Sequence, residues 1–167
     1  MLGLPSASSA FSRGLLLFWS LWLSVVSASN LADGLQQMGA LPSPWRFASG
    51  NFALVVEAIE IYGMPRSLAA VLFVGVVTAQ LGASLLFWRA FLDRDAASTR
   101  HHPKVSHAFS AAGGIFASFL VADEVLIIYA RLPAIETTHF LVLCALLLSF
   151  VAISTLDDPP PSDGQSM

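Results

Sequence analysis

The sequence predicts an all-α integral membrane protein, a four-transmembrane-helix bundle with a short amphipathic helix between its first and second spans. Three observations lead there. The 167 residues are 56% hydrophobic and only 11% charged, where an ordinary soluble domain carries about 25% charged residues. The apolar excess is gathered into four blocks, each close to the roughly 20 residues that cross about 30 Å of hydrocarbon. Most of the cations sit between those blocks, four of the eight Lys and Arg in the single stretch from Arg89 to Lys104.

Composition also narrows the function classes. A net charge of −3 with scattered cations argues against a nucleic-acid partner and leaves the lipid bilayer as the obvious one. The lone Cys144 excludes an internal disulfide framework and a CxxC redox pair. No nucleophile elbow, P-loop or HExxH helix is present, so soluble-type hydrolase and nucleotide chemistry are disfavoured.

Taken in order, residues 1–13 are Ser-rich and turn-prone and read as a flexible N-terminus. The first span, about 14–35, opens on an uncharged run from Gly14 to Ala32 and sets Trp19 and Trp22 on nearly one helical face. A cleaved signal peptide over residues 1–28 is the rival reading. Arg13 would supply its charge and Val26-Ser27-Ala28 its small-residue cleavage site, although the apolar register runs on past that point.

The connection from Asn30 to Arg66 is too rich in Pro and Gly for one helix. Within it Phe52, Val55, Val56, Ile59 and Tyr62 recur at helical spacing. They predict a short amphipathic helix from Ser49 or Asn51, stopped by Gly63 and Pro65, with Glu57 and Glu60 neighbours on one face.

The second span, about 67–88, is uncharged and holds Gln80 as its one strongly polar side chain. Gly75, Ala79 and Ala83 recur every fourth residue, as do Ser110, Gly114, Ser118 and Ala122 in the third block. Two such ridges predict close packing of the second and third spans. The third span is read as one helix over about 105–132, and the fourth as 137–156. An acidic, Pro-rich stretch over 157–167 reads as a disordered tail.

Lys and Arg counts set the expected topology. Arg13, Arg89, Arg94, Arg100 and Lys104 fall on one side and Arg46, Arg66 and Arg131 on the other. Positive residues mark the inside, so a multi-pass protein of the plasma (inner) membrane with both termini cytoplasmic is expected.

Asp123 and Glu124 are the most informative residues, because a carboxylate within a span costs several kcal/mol, about 3 on insertion scales, unless paired, protonated or wetted. Eighteen residues beyond Val105, at about 1.5 Å each, Asp123 stands about 27 Å up its helix. That is near the outer end, where the topology also collects Asn30, Asp33, Glu57, Glu60, Tyr62, Tyr129, Glu136 and His139. The candidate polar pocket is therefore Glu57, Glu60, Gln80, Asp123, Glu124, Tyr129 and Arg131.

Three chemistries fit such a cluster. In the structural one, Asp123 or Glu124 pairs with Arg131 or Arg66 and pins the first connection onto the helices. In the second, a partly buried carboxyl exchanges protons with a quinone headgroup. In the third, Glu136 and His139, at i and i+3, begin a metal site of the kind bundle di-metal proteins use, although only one such pair is present where two are needed. His101, His102 and His107 form a loose group that reads as solvated loop. A bis-His haem is disfavoured because His107 and His139 begin their helices at opposite ends.

The succession of a first apolar helix, a Gly-rich connection, Tyr62-Gly63-Met64-Pro65 leading into a second helix, Gln80 midway along it and two further helices resembles the DoxX-like four-helix membrane proteins. That family includes the small subunit of archaeal thiosulfate:quinone oxidoreductase. The resemblance spans roughly Leu15 to Leu156 and implies the four-helix fold and a link to quinone or sulfur redox partners. Gln80 stands where family members often carry Glu, and the resemblance singles out no catalytic residue.

The expected role is a non-enzymatic or accessory subunit of a membrane complex, or a homo-oligomer, with a polar acidic pocket near the outer leaflet. The alternative is a DoxX-like redox subunit holding a quinone or metal in that pocket.

Overall fold

An apolar run has to satisfy its own backbone if it lies in lipid, and the first block does so within one continuous 31-residue helix. The computed structural model describes residues 7–93 and 102–156. In it α1 spans Ala7–Gln37, α2 Asn51–Glu60, α3 Arg66–Leu92, α4 Pro103–Val125, α5 Ile128–Arg131 and α6 Pro133–Leu156. Helices α1, α3, α4 and α6 are each long and apolar enough to cross a membrane. The chain is thus an all-α, multi-pass membrane bundle, with α2 the short helix expected between the first two spans.

Polar residues inside the spans are accommodated locally. Ser20, Ser24 and Ser27 of α1 donate their hydroxyls to the carbonyls of Leu16, Ser20 and Leu23, each at 2.7 Å. Such back-bonding removes the cost of a bare hydroxyl where no water is available. Ser24 also meets Ser84 of α3 at 2.9 Å and accepts from Trp88 Nε1 at 2.9 Å, which ties α1 to α3.

The helices alternate in direction, α3 packing on α1 and α4, and α4 on α6. Trp19 Nε1 closes the circuit by donating to Ser149 of α6 at 3.1 Å. The core is a chain of rings: Trp19 lies 6.4 Å from Phe87, Phe87 4.9 Å from Phe109, and Phe109 5.4 Å from Phe150. One ring from each of the four long helices is therefore in contact with the next. Leu16, Leu23, Ala108, Ala112 and Leu146 fill the space around them.

Three expectations are corrected. Residues 7–13 belong to α1, with Ser12 fully buried and the Arg13 guanidinium 5.5 Å from the Phe91 ring centroid. Contact with the end of α3 organises a segment whose composition alone looks unstructured.

The third span also ends earlier than Leu132. Leu126 donates to Ala122 O, Ile127 turns to φ 54°, and α5 starts afresh at Ile128. Tyr62 Oη takes the Val125 carbonyl at 2.6 Å, the acceptor that Tyr129 N–H would use in an unbroken helix. Pro133, unable to donate, then heads α6.

Of the two small-residue ridges only Ala83 is buried. Gly75, Ala79, Ser110, Gly114 and Ser118 are exposed, whereas α3 and α4 touch through Ala83, Phe87, Ala90, Ala108, Phe109 and Ala112. Dispersion accumulates with the number of atoms in contact, so the aromatic faces set the rotation of both helices.

At the end of the bundle carrying Arg13 and Asp93, Lys104 pairs with Asp93. His102 Nδ1 accepts from Lys104 N–H at 3.3 Å as the N-cap of α4. His107 is exposed in the next turn. His101, Arg94, Arg100 and the acidic tail from Asp157 lie outside the described residues.

Candidate functional site

Two polar clusters lie toward the other end of the bundle. The first begins with Asn30 and Asp33, three residues apart in α1 and therefore on one helical face. They are 2% and 1% exposed, which in a membrane helix requires partners. Asn30 Nδ2 donates to Gln80 Oε1 of α3 at 2.7 Å, and its Oδ1 accepts from Asn51 Nδ2 at 2.8 Å.

Asp33 Oδ2 accepts from the Phe52 backbone N–H at 2.7 Å and from Ser49 Oγ at 3.3 Å. Helix α2 begins after Gly50, which sits at φ 77° and has no side chain to cap with. A carboxylate from α1 takes that role instead, and a negative group there also complements the helix dipole.

Packing completes the joint. Phe52 and Ile59 are buried against Ala69, Phe73 and Val77 of α3, with the Phe52 and Phe73 rings edge-to-face at 5.5 Å. Arg66 lies over the Phe52 ring at 5.3 Å and donates to Gln37 Oε1 at 2.9 Å. The amphipathic helix is thus docked on the bundle by its apolar face and fixed at its N-terminus by Asp33.

The second cluster joins α4 to α6. Asp123, 5% exposed, meets His139 Nδ1 at 2.6 Å through Oδ2. The imidazole is half-buried, its ring centroid 4.8 Å from that of Phe119 and 6.3 Å from that of Phe116. His139 Nε2 makes no hydrogen bond to a described residue. No hydrogen bond between described side chains joins this pair to the Asn30 cluster.

The structure therefore sorts the sequence-derived candidates. Gln80 and Asp123 are buried and bonded. Glu57 is half-buried, and its backbone carbonyl accepts from Arg131 Nη1 at 3.5 Å, while Glu60 and Glu124 are exposed. Tyr129 falls in α5.

Asp123 takes His139 rather than Arg131 or Arg66. Arg131 reaches Glu57 of the first connection and Arg66 reaches Gln37 of α1, so the connection is pinned by contacts other than the expected acid–arginine pair. Glu136 sits in the first turn of α6 while His139 turns to Asp123. Among the described residues no three His, Cys, Asp or Glu side chains converge as a metal site.

The central role of Asp33 and Asn51 is what sequence reasoning missed. The signal available was the pair Asn30 and Asp33 on one face of an otherwise apolar helix, followed by an Asn at the start of an amphipathic segment.

What defines the molecule at this point is a class, a multi-pass helical membrane protein with internally bonded polar clusters. No family model matches the chain, and no curated protein or solved structure is significantly similar to it.

Proposed function

We propose that the chain is a non-enzymatic, accessory component of a membrane complex, lying in the plasma membrane with both termini cytoplasmic. The observation that supports this reading is that the polar side chains of its two buried clusters are spent on holding helices together. Asp33 caps α2, Asn30 bridges Gln80 and Asn51, and Asp123 holds His139. A catalyst needs groups left over to meet a substrate, and here those groups brace helices. The orientation is supported by the count along the sequence, Arg13, Arg89, Arg94, Arg100 and Lys104 against Arg46, Arg66 and Arg131.

A second reading, a DoxX-like redox subunit, is favoured by one feature. A carboxylate on Nδ1 orients His139 and leaves the Nε2 lone pair to accept from a quinol hydroxyl or to bind a metal.

Purification of the full chain from its own membrane in mild detergent separates the two. Metal content, the optical spectrum and extracted quinone are measured, together with migration on native gels. The accessory reading expects substoichiometric iron, copper and quinone and a particle larger than the monomer. Near-stoichiometric iron, copper or quinone that disappears in His139→Phe overturns it in favour of the redox subunit.

A further inference from the structure

Between α3 and α4 the outer surface of the bundle opens into an apolar groove of about 800 Å³. Its width comes from small residues on α3. Ala79, Gly82 and Ala83 leave the floor low, and a Cβ at Gly82 would meet nothing within 4 Å. Leu86 and Ile115 stand as walls. From Ala79 to Arg89 the floor runs ten residues, about 15 Å at 1.5 Å each, which is half the hydrocarbon thickness and so the depth of one leaflet.

Among the described residues Arg89 is the one charged side chain lining the groove, exposed in the last turn of α3 between Trp88 and Leu92 of the same lining. It makes no hydrogen bond or ion pair to a described residue. The neighbouring described cations are engaged: Arg13 lies over Phe91 and Lys104 pairs with Asp93.

We infer that this groove binds one anionic phospholipid, its acyl chain lying along Ala79, Gly82 and Leu86 and its phosphate meeting the Arg89 guanidinium. The volume is that of a small-molecule site. A guanidinium pairs with phosphate through two parallel hydrogen bonds, and Arg89 stands about one leaflet's depth along α3 from Ala79. An apolar helix of a second copy would fill the walls and leave that cation without a counter-charge, so the charge at the mouth selects the lipid.

The test uses the delipidated full chain in detergent, titrated with phosphatidylglycerol or phosphatidylcholine of identical acyl chains and read by native mass spectrometry. Phosphatidylglycerol is expected to bind at least tenfold tighter at a single site. Arg89→Gln should bring the two lipids within twofold of each other, and Gly82→Leu, which fills open space, should weaken both at least fivefold. Equal binding of the two lipids, or a tenfold preference that survives Arg89→Gln, overturns the inference. So does a dimer that Gly82→Leu dissociates, since a second copy would then own the groove. Saturation by inorganic phosphate alone with the same dependence on Arg89 overturns it as well, because the acyl chain would play no part.

Discussion

Replacing Asp33 by Ala removes the carboxylate bonded to the start of α2 and tests whether that helix depends on α1 for its first turn. The Phe52 N–H, in a residue 6% exposed, loses its 2.7 Å acceptor, and Ser49 loses a weaker one. A hydrogen bond to a charged group contributes about 1.5–3 kcal/mol, and loss of an N-cap costs about 0.5–2 kcal/mol, two descriptions of the same contact that are not added. Leaving a buried donor bare keeps the cost at the upper part of that range, about 2–3 kcal/mol. At about 1.4 kcal/mol per factor of ten, amide exchange across Asn51–Glu60 should speed up about 30- to 150-fold.

Hydrogen–deuterium exchange with peptide resolution, on the protein in detergent, reads this directly. Asp33→Asn keeps an acceptor oxygen and exchanges charge for a neutral bond, so it should cost about 1 kcal/mol less than the alanine variant. The amides of α3, α4 and α6 should be unaffected by either change. An Asp33→Ala protein whose α2 exchanges within twofold of the parent would refute the capping role. Acceleration spread evenly over all helices would show instead that Asp33 supports the bundle as a whole.

Other substitutions probe the remaining contacts. His139→Ala leaves the Asp123 carboxyl, 5% exposed, without its partner and should destabilise the protein by about 3 kcal/mol in a detergent melt or SDS titration. The paired replacement Asp123→Leu with His139→Phe should recover most of that loss, and a double variant as unstable as the single one would contradict the pairing. Ser24→Ala deletes one hydroxyl that serves both Ser84 and Trp88; loss of about 1 kcal/mol is expected, with altered Trp fluorescence, and an unchanged spectrum would count against the bridge. Ile127→Gly relieves a β-branched residue held at φ 54°. It should leave stability unchanged or raise it by about 1 kcal/mol, and a loss of more than that would mean the exposed Ile127 side chain is held by a contact of its own.

Much of the architecture was readable along the chain. Hydropathy adds residue by residue, so four spans and an amphipathic helix near Asn51 followed from local runs whose burial needs no knowledge of neighbours. The gathering of Asn30, Asp33, α2 and Asp123 toward one end follows from the alternation of helix directions. Signals that depend on composition alone were weaker, as residues 7–13 show: contact between Arg13 and the end of α3 draws them into a helix that a run of serines does not announce.

Partner choice was decided only in three dimensions. Each residue turns a helix by about 100°, so a small difference in rotation decides which side chains face one another. Rotation was set by the largest contacts, the rings of Trp19, Phe87, Phe109 and Phe150, and the periodic small residues other than Ala83 and Ala122 were left facing outward. The same rotation, with the turn at Ile127, brings His139 rather than an arginine to Asp123. Span count and helix direction are thus properties of the sequence read in one dimension, whereas the bonded pairs depend on how four helices settle their mutual angles.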